Sequence, residues 1–469
     1  MHDSFDSTSP EDARQTVRRY EQMLAAQEAV FFDLSDFELL IDHYTTRHEY
    51  ARALRACELA LDQYPFSHEL LIDKAQLLAM TGRTQEALRL IDEVALVEQT
   101  NPDVSVTRGL IYSQLADYAR AIAFFKEALT APDAEGRDDI LFNIALAYQS
   151  WGKLRAAATY YQKSLTLNAD NEAGVQELLH CLEETNQLPV GAAFFQQAVD
   201  ADPYDARAWF NLGAVRYRQQ QYEPAKEAFE YATLIDADYF AAYNYLGQCL
   251  VAQGAHREAL AMFEQGFVVG EPTVESLCNI GECHEKLAEW PEAKAHYQRA
   301  LELDAEADEA WYGLGVILCA QDRWFEAIHF IRKAIDLYDQ SGEYWLGLAR
   351  AEYEVGNVVS ALEAFERATS AEPASSTAWV AWAGVLQEQG HYEEAADLLR
   401  AAIEADPTDA ELHYRACACL LSAGRYREAY QYLENGLALA FEKHPLLFEL
   451  LPELAGQRAL TQLIEQYRK

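Results

Sequence analysis

The sequence predicts an all-α protein folded as an α-solenoid of about twelve helix-turn-helix repeats. One observation is a bulky residue that recurs every 34 residues, at Trp209, Tyr243, Leu277, Trp311, Trp345 and Trp379. The other is a small residue that recurs in the same frame, at twelve positions from Ala53 to Ala429. Periods of this length are typical of solenoids, in which each repeat contacts only its neighbours.

Residues 203–237 show one repeat most clearly, as two amphipathic helices joined by a short turn. The first helix carries Trp209, Leu212 and Gly213, and the second carries Ala225 and Phe229. Because these residues recur at helical spacing, each helix is predicted to bury one stripe. The small residues allow the two helix backbones to approach closely, and the recurring tryptophans are predicted to be core residues.

The frame gives a start for each repeat and a small residue in each second helix. The starts are residues 34, 68, 102, 138, 172, 206, 240, 274, 308, 342, 376 and 410. Every step is 34 residues except the step into the fourth repeat, where the loop 132–136 holds two more. The small residues are Ala53, Ala87, Ala121, Ala157, Gly191, Ala225, Ala259, Ala293, Ala327, Ala361, Ala395 and Ala429.

The two ends of the chain depart from the frame and predict caps. Residues 1–33 are predicted to hold a disordered start, up to about residue 9, and an N-terminal capping helix that begins near Pro10. Residues 34–443 are the predicted repeats, and residues 444–469 are predicted C-terminal capping helices. Pro445 opens the first of these, Pro452 interrupts it, and a last helix is predicted from Ala455 to Lys469.

The composition limits the partners of this protein. The chain has 37 basic and 76 acidic residues, so its net charge is −39. Such a surface repels phosphate backbones and attracts basic peptides, although acidity also serves solubility alone. No basic flank precedes an apolar run at the N-terminus, and no stretch reaches the roughly 20 apolar residues of a membrane helix. We therefore expect a cytoplasmic protein without membrane insertion.

The repeat pattern resembles the tetratricopeptide repeat. The resemblance is carried by W-F-N-L-G at residues 209–213, Y-N-Y-L-G at 243–247 and W-Y-G-L-G at 311–315. It covers roughly residues 34–443 and weakens at Lys74, in place of an aliphatic residue, and at Leu179, in place of a small one. The resemblance implies a right-handed superhelix with first helices on the concave face and second helices on the convex face.

In arrays of this family the groove is lined by first-helix positions two, five, six, nine, twelve and thirteen. Carried over to the middle of this chain, these positions give Phe210, Asn211, Tyr217, Arg218, Asn244, Tyr245, Gln248, Asn279, Glu282, Glu285 and Tyr312. Amides donate and accept hydrogen bonds, which suits an extended peptide backbone, and Tyr adds contact area at small entropic cost. The hypothesis is that repeats six to nine hold an extended, basic partner segment; the alternative is that binding uses another face.

Other kinds of site fit the sequence poorly. Some arrays of this family clamp a C-terminal carboxylate with basic residues, but the matching positions here hold Glu38, Leu39, Asp42, Ile72, Asp73 and Gln76. Cys278, Cys283 and His284 suggest a metal ligand set, yet Cys283 falls at a repeat position that favours small residues, where cysteine packs as a small hydrophobe. No nucleophile motif or phosphate loop is present. We expect no metal, no cofactor and no enzymatic activity.

These observations predict a non-enzymatic scaffold or adaptor that binds a partner protein or peptide. The partner is expected to be neither nucleic acid nor membrane, and a basic segment is favoured by the charge. A structural, self-assembling solenoid is the alternative, in which the groove or an exposed end receives a second copy. The sequence leaves both open.

Overall fold

The computed structural model describes residues 10–26, 30–131, 136–452 and 458–468, and every regular element in these ranges is a helix. The all-α prediction is therefore confirmed. The predicted disorder of residues 1–9 and most of the predicted loop 132–136 lie outside the described residues. The chain divides into two compact units, one that ends at Ile235 and one that begins at Asp236. Each is described by itself.

The first unit contains thirteen helices in the ranges described. They are α1 (Pro10–Ala26), α2 (Leu34–Thr46), α3 (Tyr50–Gln63), α4 (His68–Met80), α5 (Thr84–Val97), α6 (Pro102–Gln114), α7 (Tyr118–Ala128), α8 (Arg137–Ser150), α9 (Leu154–Leu167), α10 (Glu172–Glu184), α11 (Leu188–Ala201), α12 (Ala206–Arg218) and α13 (Tyr222–Ile235). From α2 onward the helices alternate as first and second helices of consecutive hairpins.

The second unit continues the alternation and ends in short helices. Its helices are α14 (Phe240–Ala252), α15 (His256–Val269), α16 (Val274–Lys286), α17 (Trp290–Leu303), α18 (Asp308–Ala320), α19 (Trp324–Leu337), α20 (Gly342–Glu354), α21 (Val358–Ala371), α22 (Ser376–Glu388), α23 (Tyr392–Ala405), α24 (Ala410–Ser422), α25 (Tyr426–Leu439), α26 (Pro445–Leu450) and α27 (Arg458–Gln466). A 3-10 turn, Phe441–Lys443, precedes α26.

The repeat frame read from the sequence is confirmed by the helix boundaries. Eleven of the twelve predicted starts are the first residues of first helices, and the fourth helix begins at Arg137, one residue before its predicted start. The small residue predicted in each second helix is buried in all twelve cases, from Ala53 to Ala429. A register that holds over twelve hairpins shows that helix–helix packing, rather than local propensity alone, selects these residues.

Rings of the second helices fill the space left by glycines of the first helices. Phe125 and Phe263 are 1% and 0% exposed. A Cβ added at Gly109 would lie 2.5 Å from Cε1 of Phe125, and one added at Gly247 would lie 2.6 Å from Cε1 of Phe263. These glycines are therefore sockets for aromatic rings, a more specific role than the close backbone approach that the sequence predicts.

The recurring tryptophans are half-buried rather than core residues, which corrects the prediction. Trp209, Trp311, Trp345 and Trp379 each lie in this intermediate class. The indole Nε1–H of Trp311 donates to the carbonyl of Ala305 at 3.0 Å, and the other three donate to carbonyls six residues earlier at 2.7–2.9 Å. Indole needs a hydrogen-bond acceptor for its N–H, so these rings sit at the edge of the core and fix the turn before each first helix.

We expect the variant Trp311→Phe to lose about 1 kcal/mol of stability, because the ring contacts remain and only the bond to Ala305 is lost. Urea unfolding followed by circular dichroism would measure this. Trp382→Phe is the matched control, since Nε1 of Trp382 is buried without a hydrogen-bond partner. Removing that donor should cost nothing or stabilise the protein. Equal losses in the two variants would contradict the role given to the indole bond.

Both ends of the described chain bury apolar side chains against the hairpins. In the first unit, Tyr20 of α1 is 1% exposed, and its ring meets the edge of Phe32 at 6.0 Å. In the second unit, Leu460 and Ile464 of α27 are buried in the cluster that contains Leu433. Helix α27 begins at Arg458, so the predicted segment before it, like the last residue, lies outside the described residues. The proposed borders at 33 and 443 remain predictions.

The two positions that depart from the repeat pattern are accommodated locally. The ammonium of Lys74 lies 3.7 Å from a carboxylate oxygen of Glu58 on the preceding second helix. Leu179, which replaces a small residue, is 1% exposed. The polar side chain thus reaches out to an ion pair, whereas the larger apolar one is absorbed by the core.

Candidate functional site

The predicted groove residues fall into both units. Four of them lie in α12 of the first unit: Phe210, Asn211, Tyr217 and Arg218. Asn211 is only 7% exposed, so it offers little surface to a partner. Arg218 is engaged within the unit, since its guanidinium donates to Glu183 at 3.0 Å and to Gln176 at 3.2 Å. The side chains of Asn211 and Arg218 therefore stabilise neighbouring helices in this structure.

The three predicted residues of α14 are half-buried: Asn244, Tyr245 and Gln248. The amide of Gln248 donates to Glu275 of α16 at 2.8 Å and so links two first helices. The Oδ1 atom of Asn244 is buried and accepts no hydrogen bond from the described residues. A buried carbonyl without a donor costs stability, so this amide is the one in α14 with an unused acceptor.

The remaining four predicted residues are brought together around one cavity in the second unit. The cavity has a volume of about 380 Å³, and Asn279, Glu282, Glu285 and Tyr312 line it. Three further carboxylates complete the lining: Asp308, Glu309 and Glu343. We call this cavity, with its five carboxylates, the acidic pocket.

Three successive first helices supply these carboxylates for simple geometric reasons. Glu282 and Glu285 are three residues apart on α16, so they share a face. Asp308 and Glu309 lie in the first turn of α18, and Glu343 lies in the first turn of α20. Acidic residues in a first turn are favoured by the helix dipole, which also holds their side chains near the mouth of the pocket.

The acidic pocket has more negative charge than its own residues neutralise. Burial raises the pKa of Glu285, and it also raises those of Glu309 and Glu343, with neighbouring carboxylates adding to the effect. One cation lines the pocket in the described residues, Lys286, whose ammonium lies 3.5 Å from Glu285. A raised pKa means that the charged carboxylate is held at a cost, so the pocket favours an additional cation.

Tyrosines fix the carboxylates in place. The hydroxyl of Tyr297 donates to Glu285 at 3.2 Å, and that of Tyr344 donates to Asp308 at 2.9 Å. The ring of Tyr312 stacks on Tyr344 with centroids 4.6 Å apart. The arrangement is rigid, so a bound cation would meet carboxylates already in position, which lowers the entropic cost of binding.

The sequence interpretation missed several members of the pocket. Glu309 and Glu343 occupy position two of repeats nine and ten, so the same frame contained the signal for both. Asp308 and Tyr344 occupy positions one and three, outside the carried-over set, and only the packing of three first helices brings them in. The frame identifies a face of each helix, and the fold decides which faces meet.

The cysteines have the properties of packed hydrophobes. Cys278 and Cys283 are buried, and burial raises the pKa of each thiol to about 12. Among the residues that the structure describes, no group of three His, Cys, Asp or Glu side chains is arranged to hold a metal ion. In the same residues, no helix is long and apolar enough to cross a membrane.

Family models described as tetratricopeptide repeat match most of the chain. One matches residues 45–107 and 386–451. A second matches residues 215–266, 284–342, 326–378 and 346–410, and a third matches 102–133 and 138–171. The matches lie in both units and follow the repeat frame described above.

Curated relatives match over less than half of their own length. The chain is 25% identical over 235 residues to DnaJ homolog subfamily C member 7 of Mus musculus, which is 49% of this chain and 42% of that protein. It is 21% identical over 197 residues to anaphase-promoting complex subunit 3 of Schizosaccharomyces pombe, which is 42% of this chain and 29% of that protein.

Solved structures with the same helical repeats resemble the chain over nearly all of its length. The Cut9–Hcn1 hetero-tetramer of the anaphase-promoting complex is 16% identical, covering 89% of this chain and 92% of that one, with a TM-score of 0.46. Yeast Tom70 is 14% identical, covering 91% and 97%, with a TM-score of 0.47. With its twelve hairpins in register and the family models matching along both units, the chain belongs to the tetratricopeptide-repeat family.

Proposed function

We propose that this chain is a non-enzymatic protein-interaction scaffold whose second unit binds an extended, basic segment of a partner protein. The acidic pocket is the observation that carries the proposal. It presents five carboxylates and one lysine in a cavity of about 380 Å³. A lysine or arginine side chain entering this cavity would return the carboxylates to an environment that favours their charged form.

The chemistry of the pocket favours arginine or lysine over other cations. Guanidinium binds carboxylates through two parallel hydrogen bonds, and ammonium acts as a point charge. The amide of Asn279 lies at the same cavity and offers both a donor and an acceptor to a peptide backbone. A side chain in the pocket and a backbone on the amide together describe an extended segment rather than a single ion.

The comparisons support the general part of this proposal. One relative is named as a subunit of the anaphase-promoting complex, and that name describes a protein within an assembly. All eight cysteines of the present chain are free thiols, which supports the cytoplasm as the proposed location because thiols stay reduced there.

The test uses peptide libraries of nine residues with a fixed central Arg, Lys, Gln or Glu and fluorescence anisotropy as the readout. We expect the Arg and Lys libraries to bind at least about tenfold more tightly than the Glu library, which is about 1.4 kcal/mol. The triple variant Glu282→Gln, Glu309→Gln, Glu343→Gln should lose this preference, because the pocket then keeps only two of its carboxylates.

A second triple variant separates the pocket from the overall charge. Glu258→Gln, Glu292→Gln and Glu393→Gln lie exposed on second helices and change the net charge by the same amount. This control should retain the preference for Arg and Lys. Equal losses in both triple variants would assign binding to the general acidity, and a wild type without any preference would overturn the proposal.

A further inference from the structure

A second cavity of about 570 Å³ adjoins the acidic pocket in the second unit. Its floor is formed by small and apolar side chains of first helices α18, α20 and α22, with Trp324 of α19 at one side: Val316, Ala320, Gly347, Ala381, Gly384 and Val385. We call this cavity the apolar pocket. Its size is in the range of cavities that hold ligands or side chains.

Small residues stand here where earlier repeats carry amides and a carboxylate. Gly347 and Ala381 occupy position six, which is Asn279 in repeat eight, and Gly384 occupies position nine, which is Glu282 in that repeat. The same two positions of the groove therefore change from polar and long to nearly absent. The change opens the apolar pocket one repeat beyond the acidic one.

Gly384 is not required by the packing of the fold. A Cβ added there would meet no atom within 4 Å, whereas one added at Gly247 would lie 2.6 Å from Phe263. Glycine inside a helix costs about 1 kcal/mol relative to alanine. A glycine that is costly to the helix and leaves open space in a cavity points to a ligand that uses the space.

The two pockets are continuous through Tyr312, whose ring lines both. The hydroxyl of Tyr312 donates to the carbonyl of Glu343 at 3.3 Å, and a Cβ at Gly347 would lie 2.9 Å from the ring. The pockets are offset by one first helix, about 10 Å. An extended chain advances about 3.3 Å per residue, so this offset corresponds to about three residues.

The rim of the apolar pocket has the same net sign as the acidic pocket. Glu354 and Glu388 are exposed at the rim beside one cation, Arg350. The hydroxyl of Tyr353 donates to Glu388 at 2.7 Å and holds that carboxylate in place. An apolar floor with an acidic rim is complementary to an apolar side chain in a basic segment.

We infer that the apolar pocket binds a large aliphatic or aromatic side chain of the same partner segment, about three residues from the basic residue. The inference rests on the proposed function and specifies its partner: an extended segment with one Arg or Lys and one Leu-like or Phe-like residue at that spacing. Tyr312 is the wall between the two side chains.

The experiment compares nine-residue peptides with a fixed Arg and with Leu, Phe, Ser or Glu three residues before or after it. In the wild type we expect Leu or Phe in one of the two directions to improve binding at least about tenfold over Ser. The variant Gly384→Leu fills the cavity from a position where a Cβ meets no atom within 4 Å. It should abolish that gain and leave binding of the Arg–Ser peptide unchanged.

A second variant guards against a folding defect in the first. Ala381→Asn introduces the residue that repeat eight carries at the same position, and it should reduce the gain while melting like the wild type. A gain that survives both variants, or no gain for Leu or Phe in either direction, would overturn this inference alone. Loss of dependence on Arg would instead overturn the proposed function.

A second copy of the chain is the competing occupant of the apolar pocket. Light scattering across a range of concentrations measures it directly. The inference expects the wild type and Gly384→Leu to have the same mass at each concentration. A wild-type mass that rises with concentration, and does not rise in Gly384→Leu, would show that the pocket receives another copy and would overturn the inference.

Discussion

Phe263→Ala is expected to destabilise the second unit by about 3–5 kcal/mol, the range for deleting a buried aromatic ring. The side chain of Phe263 is 0% exposed, and its ring fills the socket above Gly247. The surrounding helices are fixed by hairpins on both sides, so the cavity left behind can collapse only in part. Urea unfolding and amide hydrogen exchange in α14 and α15 would measure the loss.

A compensating pair of substitutions tests the socket itself. Gly247→Ala places a Cβ 2.6 Å from the ring of Phe263, so it should destabilise by about 1–3 kcal/mol despite better helix propensity. Combined with Phe263→Leu, which removes the crowding atoms, the same change should cost less than the sum of the two single variants. Additive losses, or a Phe263→Ala variant within about 1 kcal/mol of wild type, would contradict the packing described.

The sequence period predicts which positions are apolar, and it leaves their depth open. Trp311 and Phe263 both recur in frame, and both were predicted to be buried. The structure buries Phe263 completely and leaves Trp311 half-exposed, because its indole N–H requires the carbonyl of Ala305. The difference depends on the turn between repeats, whose carbonyl positions no periodicity encodes.

The candidate site was predictable to the extent that the helical frame defines one face. Glu282 and Glu285 were found in this way, because residues three apart on a helix are neighbours. Arg218 was not correctly read as an open groove residue, since its partner Glu183 is 35 residues away in the chain. The opening at Gly384 was also missed, because in a sequence a small residue suggests close packing, and only the coordinates show the empty space beside it.

Asp73→Asn is expected to stabilise the first unit by about 2 kcal/mol at pH 8 and to have little effect near pH 4. Burial, followed by the charges of Glu38, Glu69 and Asp103, raises the pKa of Asp73 to about 6. For a sealed site this shift corresponds to about 3 kcal/mol, and partial exposure to water reduces the expectation to about 2 kcal/mol.

The sign of the pH dependence follows from proton binding in the two states. Unfolded Asp73 titrates near its ordinary pKa of about 4, so between about pH 4 and pH 6 the folded chain holds the proton more tightly. The stability that Asp73 allows is therefore lost as the pH rises through this window, and the loss is complete above about pH 6. Asparagine carries no such proton, so the variant avoids the loss.

Urea unfolding of the wild type and of Asp73→Asn between pH 4 and pH 8 would measure this difference. Asp62→Asn is the matched control, because it removes one carboxylate from an exposed site on α3. The gain of Asp73→Asn should grow from near zero at pH 4 to its full value above pH 6. A constant gain would assign the effect to packing, and a gain equal to that of Asp62→Asn would assign it to net charge. Only a gain confined to the upper part of the range shows that four acids of the first unit share one desolvated site.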